Sequence, residues 1–143
     1  DVGGIKMARA YAKKLGAELA IVDKRRLNES STEVMHIMGD VKGKNAILID
    51  DIIATAGSIT EAATALRKHG CKDIYASVTH PVLSGPAIER IEKSELKEII
   101  VCNTIPLENH KKHPKIKCLS IAPLLGEAIK RIHAEESVSS LFN

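Results

Sequence analysis

The sequence predicts an α/β fold in which helices flank a parallel sheet. Short apolar runs that suit buried strands alternate along the chain with segments whose apolar residues recur at helical spacing. Because strands that alternate with helices form parallel sheets, this order of elements indicates the fold class. With 143 residues, the chain is long enough for one such domain and too short for two.

The first part of the chain is predicted to form a helix, a strand and a polar loop. The chain opens on Asp1, and because a strand normally positions the glycine turn that follows, we expect further chain upstream. Apolar residues keep helical spacing over 4–15, and Gly16 is a typical helix terminator. A short strand is expected over 19–22. Residues 23–32 contain a single apolar residue, which predicts a mobile loop.

The middle of the chain is predicted to contain two strands and a helix. The apolar stretch 34–38 predicts an edge strand or hairpin. The run 46–49 is continuous and partly β-branched, as in a strand buried on both faces of a parallel sheet. Ser58 and Glu61 have the spacing of a capping box, which predicts a helix that starts near Ser58, and Gly70 supplies its end.

The last third repeats the alternation of strands and helices. The predicted order is strand, helix, strand, strand, over 74–78, 86–91, 98–102 and 116–121. A final helix is expected to begin near Pro123, because proline is favoured in the first helical turn. Its apolar side, which we expect to face the core, comprises Leu124, Leu125, Ala128, Ile129 and Ile132.

Composition argues against several classes of function. The net charge is only +3, and one Phe, two Tyr and no Trp leave few rings for base stacking, so nucleic acid is not an expected partner. No apolar run could span a bilayer and no secretory signal opens the chain, which predicts a cytoplasmic protein without membrane contact. The three cysteines and six histidines lack the spacing of zinc sites.

Two adjacent acids and a loop of small residues form the most informative pattern. Asp50 and Asp51 come at the end of the predicted strand 46–49, and ligands bind beyond the carboxyl ends of strands in open parallel sheets. The loop 52–58 then leads into a helix N-terminus, where unpaired amides and the helix dipole favour an anion.

The residues of this loop suit a phosphate group. Thr55 and Ser58 can add hydroxyl donors, while Ala56 and Gly57 let the backbone come close to a ligand. The two acids can accept hydrogen bonds from adjacent sugar hydroxyls. Acids and loop together therefore predict a site for a phosphorylated sugar.

The segment 49–58, with the sequence IDDIIATAGS, resembles the ribose 5-phosphate motif of phosphoribosyltransferase-type folds. Further segments resemble ribose-phosphate pyrophosphokinases in the same order, namely 1–4, 23–26, 39–41, 79–85, 103–106 and 136–142. The likeness covers essentially the whole chain. It implies that residues 1–143 form the C-terminal half of such an enzyme, with a type I phosphoribosyltransferase-like fold, and that the N-terminal half lies outside this chain.

The resemblance also implies an activity. Enzymes of this family transfer a pyrophosphoryl group from ATP to ribose 5-phosphate, which gives 5-phosphoribosyl 1-pyrophosphate and AMP for nucleotide biosynthesis, and they require magnesium. They form homo-oligomers that phosphate and ADP regulate, and half of such an enzyme is expected to be inactive alone.

Roles for individual residues follow from the same resemblance. Lys24 and Arg26 would act as catalytic residues from the mobile loop, and their charge suits phosphoryl transfer. Asp50 would hold the ribose hydroxyls, and Asp51 would assist through magnesium or shape the loop. Asp1 would help to hold Mg²⁺. The residues that would wrap the 5-phosphate are Ala54, Thr55, Ala56, Gly57 and Ser58.

One position departs from the family pattern. Pyrophosphokinases usually have a third Asp where this chain has Ala54, so a carboxylate contact with ribose or metal is lost or replaced. Adenine phosphoribosyltransferases resemble this motif and tolerate Ala there, so the phosphate site itself is expected to survive. Two alternatives remain open, a non-catalytic regulatory paralogue and a phosphoribosyltransferase.

Overall fold

A four-stranded parallel sheet forms the centre of the protein in the computed structural model, which describes residues 2–25 and 34–142. In chain order the elements are α1 (Val2–Leu15), β1 (Ile21–Arg25), β2 (Val34–Met38), β3 (Ala46–Ile53), α2 (Gly57–Lys68), β4 (Ile74–Pro81), α3 (Ala87–Lys93), β5 (Glu98–Cys102), β6 (Ile116–Leu119) and α4 (Ala122–His133). Short 3-10 turns follow at Asn109–Lys111 and Ser139–Phe142.

The sheet has the order β3-β4-β5-β6, and each neighbouring pair of strands is parallel. This arrangement confirms the predicted α/β class with a parallel sheet flanked by helices. Because all four strands run the same way, their C-terminal ends meet at one edge of the sheet. That edge carries the residues from which the sequence predicts a ligand site.

Strands β1 and β2 form a separate antiparallel ribbon. The ribbon confirms the edge strand or hairpin predicted over 34–38. The other strand, however, was predicted over 19–22 and instead runs to Arg25, where a loop had been expected. Polar residues extend the strand because they pair across the ribbon, with Asp23 opposite His36 and Arg25 opposite Val34.

The core lies between one face of the parallel sheet and the helices α2 and α3. Alternate residues of β4 are buried, as expected for a strand with one fully covered face. The largest fully buried aliphatic side chains are Ile74, Ile91, Leu96, Ile99 and Val101. On the side of α2, the buried apolar residues are Ile59, Ala62, Ala63, Ala65 and Leu66.

Strand β3 is less buried than its sequence predicts. It is one of the two edge strands of the four-stranded sheet, and Ile47 is 51% exposed. The prediction that 46–49 is covered on both faces was therefore wrong, because the second face of the sheet is open beside Ile47. A continuous apolar run shows that a strand can be buried on both faces, but it does not show whether both faces are covered.

The final helix gives a second correction. Helix α4 has proline in its first turn, as predicted, but none of its residues is buried. Ile129 and Ile132 are 66% and 67% exposed, and Leu124 and Leu125 are also exposed. The apolar side of α4 thus does not face the core, because no described part of this chain packs over it. No helix in the described part of the chain is long and apolar enough to cross a membrane.

Candidate functional site

The acid pair lies inside β3, close to the C-terminal end of the strand. Strand β3 continues through Ile53, so Asp50 and Asp51 do not end the strand as predicted. Asp50 is opposite Val78 of β4, and both acidic side chains are exposed. They therefore stand at the edge of the sheet where open α/β folds bind ligands.

The exposed carboxyl group of Asp50 can bind a ligand that carries hydrogen-bond donors or positive charge. Partial burial among its neighbours raises the pKa of Asp50 above its ordinary value. The amide of Asp51 donates to Oδ1 of Asp50 at 2.9 Å and opposes this rise, whereas the adjacent Asp51 carboxyl adds to it. A carboxyl with a perturbed pKa at a ligand-binding edge is a candidate functional group.

Residues 54–58, which we call the phosphate loop, turn the chain from β3 into α2. Ala56 makes the turn with φ 60° and ψ 8°, a left-handed conformation that is uncommon outside glycine. Its side chain is only 4% exposed and belongs to the core cluster. The small size of Ala56 therefore serves packing beneath the loop, and its role in letting the backbone come close to a ligand stays a prediction.

The residue before α2, Ala56, provides no side-chain cap for the helix. The helix begins at Gly57, which confirms the predicted start near Ser58. The left-handed turn at Ala56 immediately precedes this start. First-turn amides at a helix N-terminus, together with the helix dipole, favour an anion. Thr55 and Ser58 are exposed and can add their hydroxyl groups.

The carbonyl groups of this turn are held by residues that follow in the sequence. The hydrogen bonds are Leu83 N to Ile53 O (3.1 Å), Ser84 N to Ala54 O (2.9 Å), Arg90 Nη1 to Thr55 O (3.0 Å), Thr60 Oγ1 to Ala56 O (2.7 Å) and Thr60 Oγ1 to Gly57 O (3.0 Å). Each of five consecutive carbonyls thus has a donor. The loop is fixed before any ligand arrives, which is how preorganised anion sites work.

Sequence reasoning did not identify these supporting residues. The segment 79–85 contributed to the family resemblance without a role, and it contains Leu83 and Ser84. Nothing in the local sequence marked Thr60 or Arg90, because their contacts depend on how α2 and α3 pack. His80 was also missed, although it lies at the same edge, opposite Ile52, with its ring 2.9 Å from the Thr104 hydroxyl.

The predicted catalytic and metal residues are only partly covered by the structure. Lys24 lies in β1 opposite Met35, which places its backbone in the ribbon. Arg26 and Asp1 fall outside the described residues. Within residues 2–25 and 34–142, no group of three or more His, Cys, Asp or Glu side chains is arranged to hold a metal ion.

Comparison with known protein families shows which family the chain belongs to. Residues 27–143, most of the chain, match the model of the phosphoribosyl synthetase-associated domain. The chain belongs to this phosphoribosyl synthetase family. Its curated relatives include the ribose-phosphate pyrophosphokinases of Clostridium acetobutylicum, which is 57% identical over 142 residues, and of Bacillus subtilis, which is 55% identical over 143 residues.

A solved structure supports the fold of this phosphoribosyl synthetase family member. The phosphoribosylpyrophosphate synthetase of Mycobacterium smegmatis superposes with a TM-score of 0.85 at 40% identity, and the match covers 93% of this chain and 43% of that one. The alignments cover 99% of this chain and 44% of the C. acetobutylicum protein, and 100% of this chain and 45% of the B. subtilis protein. The chain therefore spans less than half the length of the relatives it matches.

Proposed function

We propose that the protein containing this chain is a ribose-phosphate diphosphokinase, and that this chain supplies its ribose 5-phosphate site. The reaction transfers a pyrophosphoryl group from ATP to ribose 5-phosphate and gives 5-phosphoribosyl 1-pyrophosphate and AMP, for nucleotide biosynthesis. One observation carries the proposal: two carboxylates and a preorganised anion-binding loop lie at the same edge of the sheet. The carboxylates suit the hydroxyl groups of a sugar phosphate, and the loop suits its phosphate group.

Each part of the site has a role in binding. Asp50 accepts hydrogen bonds from the ribose hydroxyls, since an ionised carboxylate is an acceptor only. The amides of the phosphate loop and the hydroxyls of Thr55 and Ser58 bind the 5-phosphate, which lies at the start of α2. Ala54 begins the loop and contributes backbone alone.

Catalysis needs positive charge near the transferred group. Phosphoryl transfer depends on positioning and on cations that neutralise charge developing on the phosphate oxygens. Lys24, near the end of β1, and Arg26, which follows that strand in the sequence, supply that charge. An N-terminal half outside this chain supplies most of the ATP site, so the chain alone is inactive.

Magnesium fits the donor set at this edge. Mg²⁺ prefers oxygen ligands and is usually held by one or two carboxylates together with waters and substrate phosphates. Asp50 and Asp51 are adjacent, exposed carboxylates of this kind. Asp51 would assist through the ion, and Asp1 would provide a further ligand. When bound, Mg²⁺ neutralises the phosphates of ATP.

We further propose a cytoplasmic homo-oligomer that phosphate and ADP regulate. The apolar side of α4 supports the association, because a contiguous apolar helix face left in solvent is typical of a contact with another chain. Leu124, Leu125, Ile129 and Ile132 form this face, and it would contact a second copy of the protein.

A regulatory paralogue is the second candidate, and Ala54 is the observation that favours it. This position lacks the acid that the family usually carries there. The side chain of Ala54 is exposed, so an Asp would fit without displacing neighbours. If the missing carboxylate limits catalysis, Ala54→Asp raises AMP formation while ribose 5-phosphate binding changes little.

Formation of AMP from ATP and ribose 5-phosphate by the intact protein tests the main proposal. Lys24→Ala is expected to lower kcat about 100-fold or more, because a positive charge that acts in the transition state is lost. Lys97→Ala is the matched control, since Lys97 pairs with Asp73 at the opposite edge of the sheet. A wild-type protein that binds ribose 5-phosphate without forming AMP would instead support the regulatory paralogue.

A further inference from the structure

Arg90 reaches from α3 to the phosphate loop, although 35 residues separate it from its partner. Its Nη1 atom donates to the carbonyl oxygen of Thr55 at 3.0 Å. The same nitrogen lies beside Gly57, where an added Cβ would be 3.3 Å away from it. Gly57 does not have a positive φ, so its lack of a side chain serves this close approach of the guanidinium.

Among the hydrogen bonds of the described residues, the Thr55 carbonyl is the one loop carbonyl that accepts from a side chain of another helix. The carbonyls of Ala56 and Gly57 are held by Thr60 of the same helix α2, and that of Ala54 by a backbone amide. A trans peptide points its C=O and N–H groups in opposite directions. By holding the Thr55 carbonyl toward α3, Arg90 turns the amide of Ala56 to the opposite side of the loop.

The loop needs this support because its backbone is strained. Ala56 is a left-handed residue without the freedom of glycine, and such residues persist only where the surroundings hold them. Leu83, whose amide donates to the carbonyl of Ile53 just before the loop, also has a positive φ of 49°. The guanidinium of Arg90 also brings a positive charge next to Gly57.

We propose that Arg90 is a positioning residue for phosphate recognition: it holds the Thr55 carbonyl and thereby directs the amide of Ala56 at the phosphate of the sugar. This inference rests on the proposed function and adds a residue to it. Arg90 lies on α3, outside the segment 49–58 that resembles the ribose 5-phosphate motif, and would still contribute to phosphate affinity.

Arg90→Met tests the role in the intact protein, because Met keeps much of the stem and removes the donor and the charge. Lys93→Met is the matched control, since it removes the same charge from the same helix and breaks only the exposed pair with Glu89. Arg90→Met is expected to raise KM for ribose 5-phosphate about 10- to 100-fold and to leave KM for ATP nearly unchanged. Lys93→Met is expected to change neither, and Arg90→Lys to recover part of the loss.

The outcomes separate this inference from the function on which it rests. Wild-type protein that binds ribose 5-phosphate, with Arg90→Met binding it within about twofold as tightly, would overturn the role of Arg90 alone. Equal losses for both substrates, together with lower resistance to urea, would show general unfolding and would also overturn it. Wild-type protein that fails to bind ribose 5-phosphate at millimolar concentration would overturn the proposed function and this inference with it.

Discussion

Ala56 and Gly57 have different structural roles in the phosphate loop. Alanine takes the left-handed position, at a cost of about 1–2 kcal/mol relative to a relaxed backbone, and its methyl group packs in the core. Glycine takes an ordinary conformation and leaves room for the guanidinium of Arg90. The sequence shows that both residues are small. Which of them takes the left-handed conformation, and which leaves room for a side chain, depends on the residues packed around the loop.

Asp50 is expected to reduce stability while it serves binding. Its pKa is raised in the folded protein, so the folded state holds the proton more tightly than the unfolded chain does. Stability is therefore lost as the pH rises from the ordinary pKa of an Asp through the raised pKa of Asp50. Asp50→Asn should leave the domain as stable as wild type or more stable at neutral pH, as measured by urea unfolding. A clear loss of stability at neutral pH would contradict this account.

The same carboxylate should give ribose 5-phosphate binding a pH dependence. Affinity is expected to fall as the pH drops through the raised pKa of Asp50, because the protonated acid is a poorer acceptor for ribose hydroxyls. Asp50→Asn is expected to bind about tenfold or more weakly at neutral pH. The phosphate of the ligand also titrates and adds its own pH dependence. Asp50→Asn keeps the phosphate loop, so its pH profile serves as the reference for that contribution. Parallel pH profiles for wild type and variant would rule out the role of Asp50.

At the scale of elements, periodicity predicted most helices and strands. The apolar face of α2 and the alternate burial of β4 follow directly from spacing, because both elements pack on the same core. Helix α4 has an equally clear apolar side, yet that side is exposed. Spacing shows which side of a helix is apolar, but it carries no information on whether the covering surface belongs to the same chain.

Substitutions on α4 test the proposed contact with a second copy. Ile129→Glu with Ile132→Glu is expected to weaken self-association, measured by sedimentation velocity, and to change the free energy of unfolding little, because both side chains are about two-thirds exposed. Leu96→Ala provides the contrast. Leu96 is 1% exposed, and its truncation is expected to cost about 2–5 kcal/mol.

The control for this experiment is Lys130→Glu, which alters the charge of α4 at an exposed position without touching its apolar side. Association that survives both isoleucine substitutions would show that the face does not mediate the contact. A large loss of stability in the double variant would show that the face is packed within the protein.

At the scale of the whole molecule, the site is assembled from segments that are far apart in the sequence. The acids and the loop were predictable, because they are contiguous and follow one strand. Ser84 and Arg90 were not, since they reach the loop only when β4 lies beside β3 and α3 packs against α2. In the proposed site, the motif supplies the groups that a ligand would contact, and the tertiary fold supplies the hydrogen bonds that hold the loop.

Calorimetric titration of this chain tests whether its preformed loop holds the phosphate of a sugar phosphate. Ribose 5-phosphate is titrated with and without magnesium, and ribose serves as the control ligand. We expect saturable binding of ribose 5-phosphate and no measurable binding of ribose. Equal heats for the two sugars, or no heat from ribose 5-phosphate at millimolar concentration, would contradict it.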